Sequence, residues 1–143
     1  MDKFKVVFVS VAGAVGGSIA NYLGGWDAGL KTLVLFMALD YAMGLVVAGV
    51  FHRSPKTQTG ALNSKIGWIG LARKGGTMAI VLVAAQLDTL IGTNIIRDGV
   101  VIAFITNEAI SIAENAGLMG IKVPQIVVRA VDVLTQKNNE TKL

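Results

Sequence analysis

Four apolar stretches dominate this chain, and a helix that crosses a bilayer needs about 20 mostly apolar residues. They run from about Val6 to Leu23, Leu30 to Phe51, Thr77 to Gly92 and Gly99 to Ala116. A water-soluble fold has little to offer such a sequence. The chain is 53% hydrophobic and 15% charged, whereas soluble proteins carry roughly a quarter charged residues, so folding in water would leave large apolar patches uncovered. The expected architecture is all-α, an integral membrane helical bundle forming a single membrane domain over residues 1–143. Its helices are placed at about 6–23, 30–51, 75–92 and 97–119, followed by a short amphipathic helix at 124–136 and a flexible tail at 137–143 that carries Lys137 and Lys142.

Charge placement sets an expected topology. The long connection HRSPKTQTGALNSKIGWIGLARKGG holds Arg53, Lys56, Lys65, Arg73 and Lys74 with no acid, which makes it a cytoplasmic basic loop by the positive-inside rule. The other two connections carry only Asp27 with Lys31, and Arg97 with Asp98, and are placed outside. Four spans with both termini cytoplasmic satisfy every loop. The net charge of +4 sits at the ends of apolar segments, a pattern suited to anionic lipid and not to nucleic acid. Trp26 and Trp68 fit interface anchors. Lys3, Lys5 and GSIA ending at Ala20 also resemble a signal peptide, but the first segment is read as a retained span.

The polar residues within these segments are the candidates for function. Asp40 lies nine residues from Lys31, roughly 13 Å into a hydrocarbon core about 30 Å thick, so it must be neutralised, paired or turned to water in an assembly. Asp88, near the end of the third segment, is placed at the interface within reach of water. On a helical wheel, Asn107, Glu108, Ser111, Glu114 and Asn115 gather in one arc opposite Val101, Ile102, Ile105, Ala109, Ile112 and Ala116. That helix either spans with its polar arc toward a lumen or lies flat at the headgroups. Gly13 and Gly17 form a GxxxG pair in the first segment, and with Gly44 in the second they mark helix-packing positions.

Enzymatic chemistry lacks its components. There is one histidine, His52, and no cysteine, so no ordinary zinc site or Cys/His nucleophile can be assembled. GLARKGG lacks the spacing of a phosphate loop. No catalytic, cofactor-binding or metal-binding residue is expected, and no cofactor.

Three stretches carry a resemblance: KTLVLFMALDYAMGLVVAGVF (residues 31–51), SKIGWIGLARKGG (64–76) and ITNEAISIAENAGLMGIKVP (105–124). With them the chain resembles, over about residues 30 to 130, the holin family that joins phage lysis holins to clostridial toxin-secretion holins. Met43 before Gly44 departs from the small or hydroxylated residue frequent there. The resemblance implies a non-enzymatic protein of the bacterial cytoplasmic membrane that associates with copies of itself and opens a path for a peptidoglycan hydrolase or a large toxin. It singles out Asp40, Ser64, Lys65, Lys74, Asn107, Glu108, Ser111, Glu114 and Asn115. Two other classes use the same residues: a small cation-selective channel or transporter, and a non-conducting scaffold that binds lipid or a partner through the basic loop.

Overall fold

The computed structural model describes residues 2–140 and contains five helices: α1 (Lys3–Tyr22), α2 (Ala28–Gly49), α3 (Ser64–Ile91), α4 (Ile95–Leu118) and α5 (Gln125–Glu140). There is no strand among the described residues. Helices α1, α2 and α3 are long and apolar enough to cross a membrane. Helix α4 has 24 residues, about 36 Å of rise, but Arg97, Asp98, Glu108 and Glu114 leave it outside that apolar set.

Local chemistry sets the helix ends. Asp27 opens α2 by accepting from the backbone N–H of Leu30 at 2.9 Å, and Asn63 opens α3 by accepting from Lys65 and Ile66, the usual role of short polar side chains at an N-cap. Helix α4 ends in a Schellman arrangement: Gly120 takes a φ of 80°, its N–H reaches the Gly117 carbonyl, and the Ile121 N–H reaches that of Ala116. Helix α5 opens immediately after Pro124, whose carbonyl accepts from Val127 and Val128.

Helix α4 is the hub, packing on α2, α3 and α5, while α1 touches only α3. The apolar core joins Leu23, Leu30, Leu33 and Met37 to Val81, Val101 and Ile105, with Leu134 of α5 against its edge. Helix α1 buries nothing. Its Phe4 is 80% exposed, with Phe8, Val11, Val15 and Ile19 also outward, a surface that only lipid or another helix would cover without cost. Nothing lies within 4 Å of a Cβ placed on Gly13, Gly17 or Gly44, so these glycines pack no helix within one chain.

Three sequence expectations need correction. Helix α3 begins at Ser64, not near 75, so Lys65, Arg73 and Lys74 are helical and not part of a loop. Glycine and charge in SKIGWIGLARKGG suggested irregular chain, but the Asn63 cap and the helical spacing of Ile66 and Ile69 carry the helix through it. Helix α4 begins at Ile95, two residues before its expected start at 97, so Arg97 and Asp98, which charge counting treats as a connection, lie in its first turn. Helix α5 extends to Glu140, so residues 137–140 of the expected flexible tail are helical, and the remainder of that tail, with Lys142, lies outside the described residues.

Candidate functional site

Two polar clusters tie α2, α3 and α4 together at separate levels. In the first, the Lys74 ammonium of α3 donates to Asp40 Oδ2 of α2 at 2.9 Å and to Glu108 Oε2 of α4 at 2.6 Å. All three side chains are largely buried. Asn115, one α4 residue beyond Glu114, donates through Nδ2 to Asp40 Oδ1 at 3.0 Å and to the Asp40 carbonyl at 3.3 Å. Asp40 stands nine residues before the end of α2, Lys74 ten after the start of α3, and Glu108 ten before the end of α4. The triad therefore sits about 14 Å from the same end of each helix. A lone carboxylate at that depth would be costly; two carboxylates around one ammonium, with an amide closing the remaining lone pair, are tolerable.

The second cluster centres on Arg97, which is 5% exposed. Its guanidinium grips Asp27 twice, at 2.5 and 3.2 Å, reaches Asp98 at 3.3 Å, and donates to the carbonyls of Leu23 and Gly25 at 2.6 and 3.1 Å. The turn must come close for this. Gly24 has a φ of 86°, and a Cβ there would meet the Arg97 side chain at 2.7 Å, so glycine serves both the left-handed backbone and the approach. Arg97 holds the Asp27 carboxyl below its ordinary value, outweighing the opposing effect of partial burial.

Asp88 belongs to this cluster and corrects another expectation. It is buried, not an interfacial carboxylate reaching water. Its Oδ1 accepts from Thr93 Oγ1 at 2.5 Å and from Ile96 N–H at 3.2 Å, and its Oδ2 from Arg97 N–H at 2.7 Å. Asn94 makes no side-chain cap, so an acid from the preceding helix serves the open first turn of α4.

Between the two levels lies a dry layer. Along α2 the order is Asp27, then Leu30, Leu33 and Met37, then Asp40; along α3 it is Lys74, Val81 and Asp88; along α4 it is Arg97, Val101, Ile105 and Glu108. Thirteen residues from Asp27 to Asp40 make this layer about 20 Å deep. On the other side of the triad a cavity of about 520 Å³ opens between the three helices, overlain by Ser54 to Thr57 of the α2–α3 connection. The cavity thus gives polar access to the triad on the side away from the apolar layer.

The expected polar arc of α4 divides. Glu108 and Asn115 turn inward to the triad and Ser111 lines its cavity, while Asn107 and Glu114 stay exposed. Arg53, Lys56, Lys65 and Arg73 are exposed at the cavity end. Trp26 and Trp68 are exposed as well. Charge counting had assigned Lys74 and Arg97 to topology alone, and both proved to be the centres of their clusters. Lys74 is singled out by the family resemblance, with Asp40 and Glu108; the signal for it in the residues themselves is the unpaired Asp40, which demands a cation. No group of side chains able to hold a metal ion occurs among the described residues.

Residues 17–136 match the model of the bacteriophage holin family. An uncharacterised protein of Listeria monocytogenes is 37% identical over 126 residues, covering 87% of this chain and 84% of that one. An uncharacterised protein of Clostridium perfringens is 34% identical over 140 residues, covering 96% and 93%. A probable holin of Bacillus phage phi105 is 28% identical over 120 residues, covering 83% of each. No solved structure matches.

Proposed function

The chain belongs to the bacteriophage holin family, and on that premise we propose that it is a holin: it associates with copies of itself in the bacterial cytoplasmic membrane and opens a lesion large enough for a folded protein. The observation that carries this reading is the Asp40–Lys74–Glu108 triad, set halfway along helices of which two are apolar and long enough to span. Membrane helices keep such charges only where neighbours pair them or water reaches them. In one chain the dry layer of Leu33, Met37, Val81 and Ile105 closes the route, so a single copy conducts nothing.

Opening then requires several copies. The uncovered α1, with Gly13 and Gly17 free of neighbours, supplies a face for close helix contact. Asn107 and Glu114 supply polar groups that an assembly would turn toward water. In this reading the protein performs no catalysis. Both termini and the Arg53 to Lys74 segment face the cytoplasm, the Arg97 cluster faces outward, and the partner released is a peptidoglycan hydrolase or a large toxin. A fall in membrane potential acts as trigger, since one charge moved through the field is worth about 2.3 kcal/mol per 100 mV.

Inducing the chain in a bacterial cell, with a potential-sensitive dye and turbidity followed together, tests the proposal. The expected result is an abrupt halt of growth coincident with loss of potential. Full membrane expression with potential and dye exclusion intact would contradict it.

A further inference from the structure

The cavity beside the triad continues into a second hollow of a different kind. Tyr41, Leu62 and Gly67 line both. The second hollow, about 500 Å³, is an apolar groove along the outside of α2 and α3, walled by Leu45, Trp68 and Leu71. Trp68 is 71% exposed, with Leu62 and Leu71 also outward. The first hollow is polar at its mouth, where Lys56 and Arg73 line it with the hydroxyls of Ser54 and Thr57. A polar chamber that opens sideways into a lipid-facing apolar groove has the shape of a headgroup and chain.

We infer that this compound site holds one anionic phospholipid, its phosphodiester between Lys56 and Arg73 and an acyl chain along Tyr41, Trp68 and Leu71. Charge supports the choice. The acids deepest in the cavity, Asp40 and Glu108, are both taken by Lys74. Lys56 and Arg73 make no close ion pair among the described residues, and neither does Arg53 or Lys65 at the same end, although Lys56 attracts the Asp40 carboxylate at longer range. Glu114 opposes them at the cavity wall. Against these four cations stand Glu114 and the one surplus negative charge of the triad, and the remaining positive excess favours a headgroup with net negative charge over a zwitterionic one. The inference rests on residence in a bilayer but not on pore opening, so either can fail without the other.

The test uses the full chain with Trp26→Phe, which leaves Trp68 as the sole indole, reconstituted in phosphatidylcholine vesicles. Bromine-labelled phosphatidylglycerol or bromine-labelled phosphatidylcholine is then added, and quenching of Trp68 gives the relative affinity of each lipid for the groove. A preference for phosphatidylglycerol of roughly fivefold or more is expected, since each nearby cation is worth about that factor toward an anionic lipid. Lys56→Gln with Arg73→Gln should bring the ratio close to one, while Lys122→Gln with Arg129→Gln, exposed cations that line neither hollow, should leave it unchanged. Unaltered quenching by labelled phosphatidylcholine shows that each variant still folds. Equal quenching by the two lipids in the unsubstituted cavity would overturn the inference. So would an equal loss in both charge-altered pairs, which marks diffuse surface attraction, or full competition by millimolar inorganic phosphate, which marks a free-anion site.

Discussion

The Arg97 cluster and the Lys74 triad join the same three helices on opposite sides of one dry layer, and they do so with different materials. Arg97 sits at helix ends and spends much of its bonding on the backbone carbonyls of Leu23 and Gly25, while its acidic partner Asp27 has a side chain 49% exposed. Lys74 sits mid-helix, and its partners Asp40 and Glu108 are carboxylates largely shut off from solvent. The exposed Asp27 carboxylate lets water replace part of a lost bond in the first cluster, whereas in the second two largely buried carboxylates depend on one ammonium. The first is suited to fastening a turn, the second to holding charge at a depth where charge survives only in company.

Removing Lys74 should therefore have the largest effect. Lys74→Met leaves Asp40 and Glu108 facing each other without a cation, and breaking a buried pair this way costs about 3–5 kcal/mol. The expected outcome is a sharply lowered thermal midpoint in detergent, followed by circular dichroism. Adding Asp40→Asn and Glu108→Gln to Lys74→Met should recover most of the loss, since the uncompensated charge is then gone. Failure of the triple variant to recover would mean that Lys74 matters for packing and not for charge.

Arg97→Gln should come next, at about 1.5–3 kcal/mol, the range for hydrogen bonds to a charged group, with water moderating the loss at the exposed Asp27. If it matches or exceeds Lys74→Met in the same melt, the proposed contrast between the clusters fails.

A smaller effect is expected from pH. Arg97 lowers the Asp27 carboxyl below its ordinary value of 3.8, so the stabilisation from this pair is fully present above that value and is lost as pH falls through the depressed value in the folded state. The midpoints of the unaltered chain and Asp27→Asn should differ near neutrality and converge in strong acid. A gap that stays constant across the acid range would show that Asp27 acts through its cap to Leu30 and not through its charge.

The least change in stability is expected at the exposed positions. Asn107→Ala, Glu114→Gln and Gly13→Leu should each move the melt by less than about 0.5 kcal/mol, as surface substitutions usually do. Gly13→Leu should nevertheless weaken chemical cross-linking between copies in membranes. Cross-linking unchanged by that substitution would remove α1 from the proposed assembly.

Much of the fold was legible because hydrophobicity over twenty residues is a strong signal; α1 and α2 fall close to their expected places, and Asp40 was marked as a carboxylate in need of a partner. The family resemblance singles out Lys74, but its pairing with Asp40 was not legible in the pattern of residues. Lys74 lies 34 residues away in a stretch whose glycines and cations read as loop, and periodicity cannot see a contact made across two helices. Asp88 was misplaced for a related reason: its position near the end of an apolar segment suggested water, whereas the next helix begins against it and takes both of its oxygens. The polar arc of α4 was visible on the wheel, but which half would turn inward depended on where Asp40 and Lys74 stood.

The central claim is that copies of this chain open a passage wide enough for folded protein, and release from vesicles tests it most directly. The purified chain reconstituted into liposomes holding both a small dye and a fluorescent folded protein should release the two together once a threshold amount of protein per vesicle is passed. Release of the dye or of cations alone, with the folded protein retained at every loading, would contradict the account and favour a narrow channel.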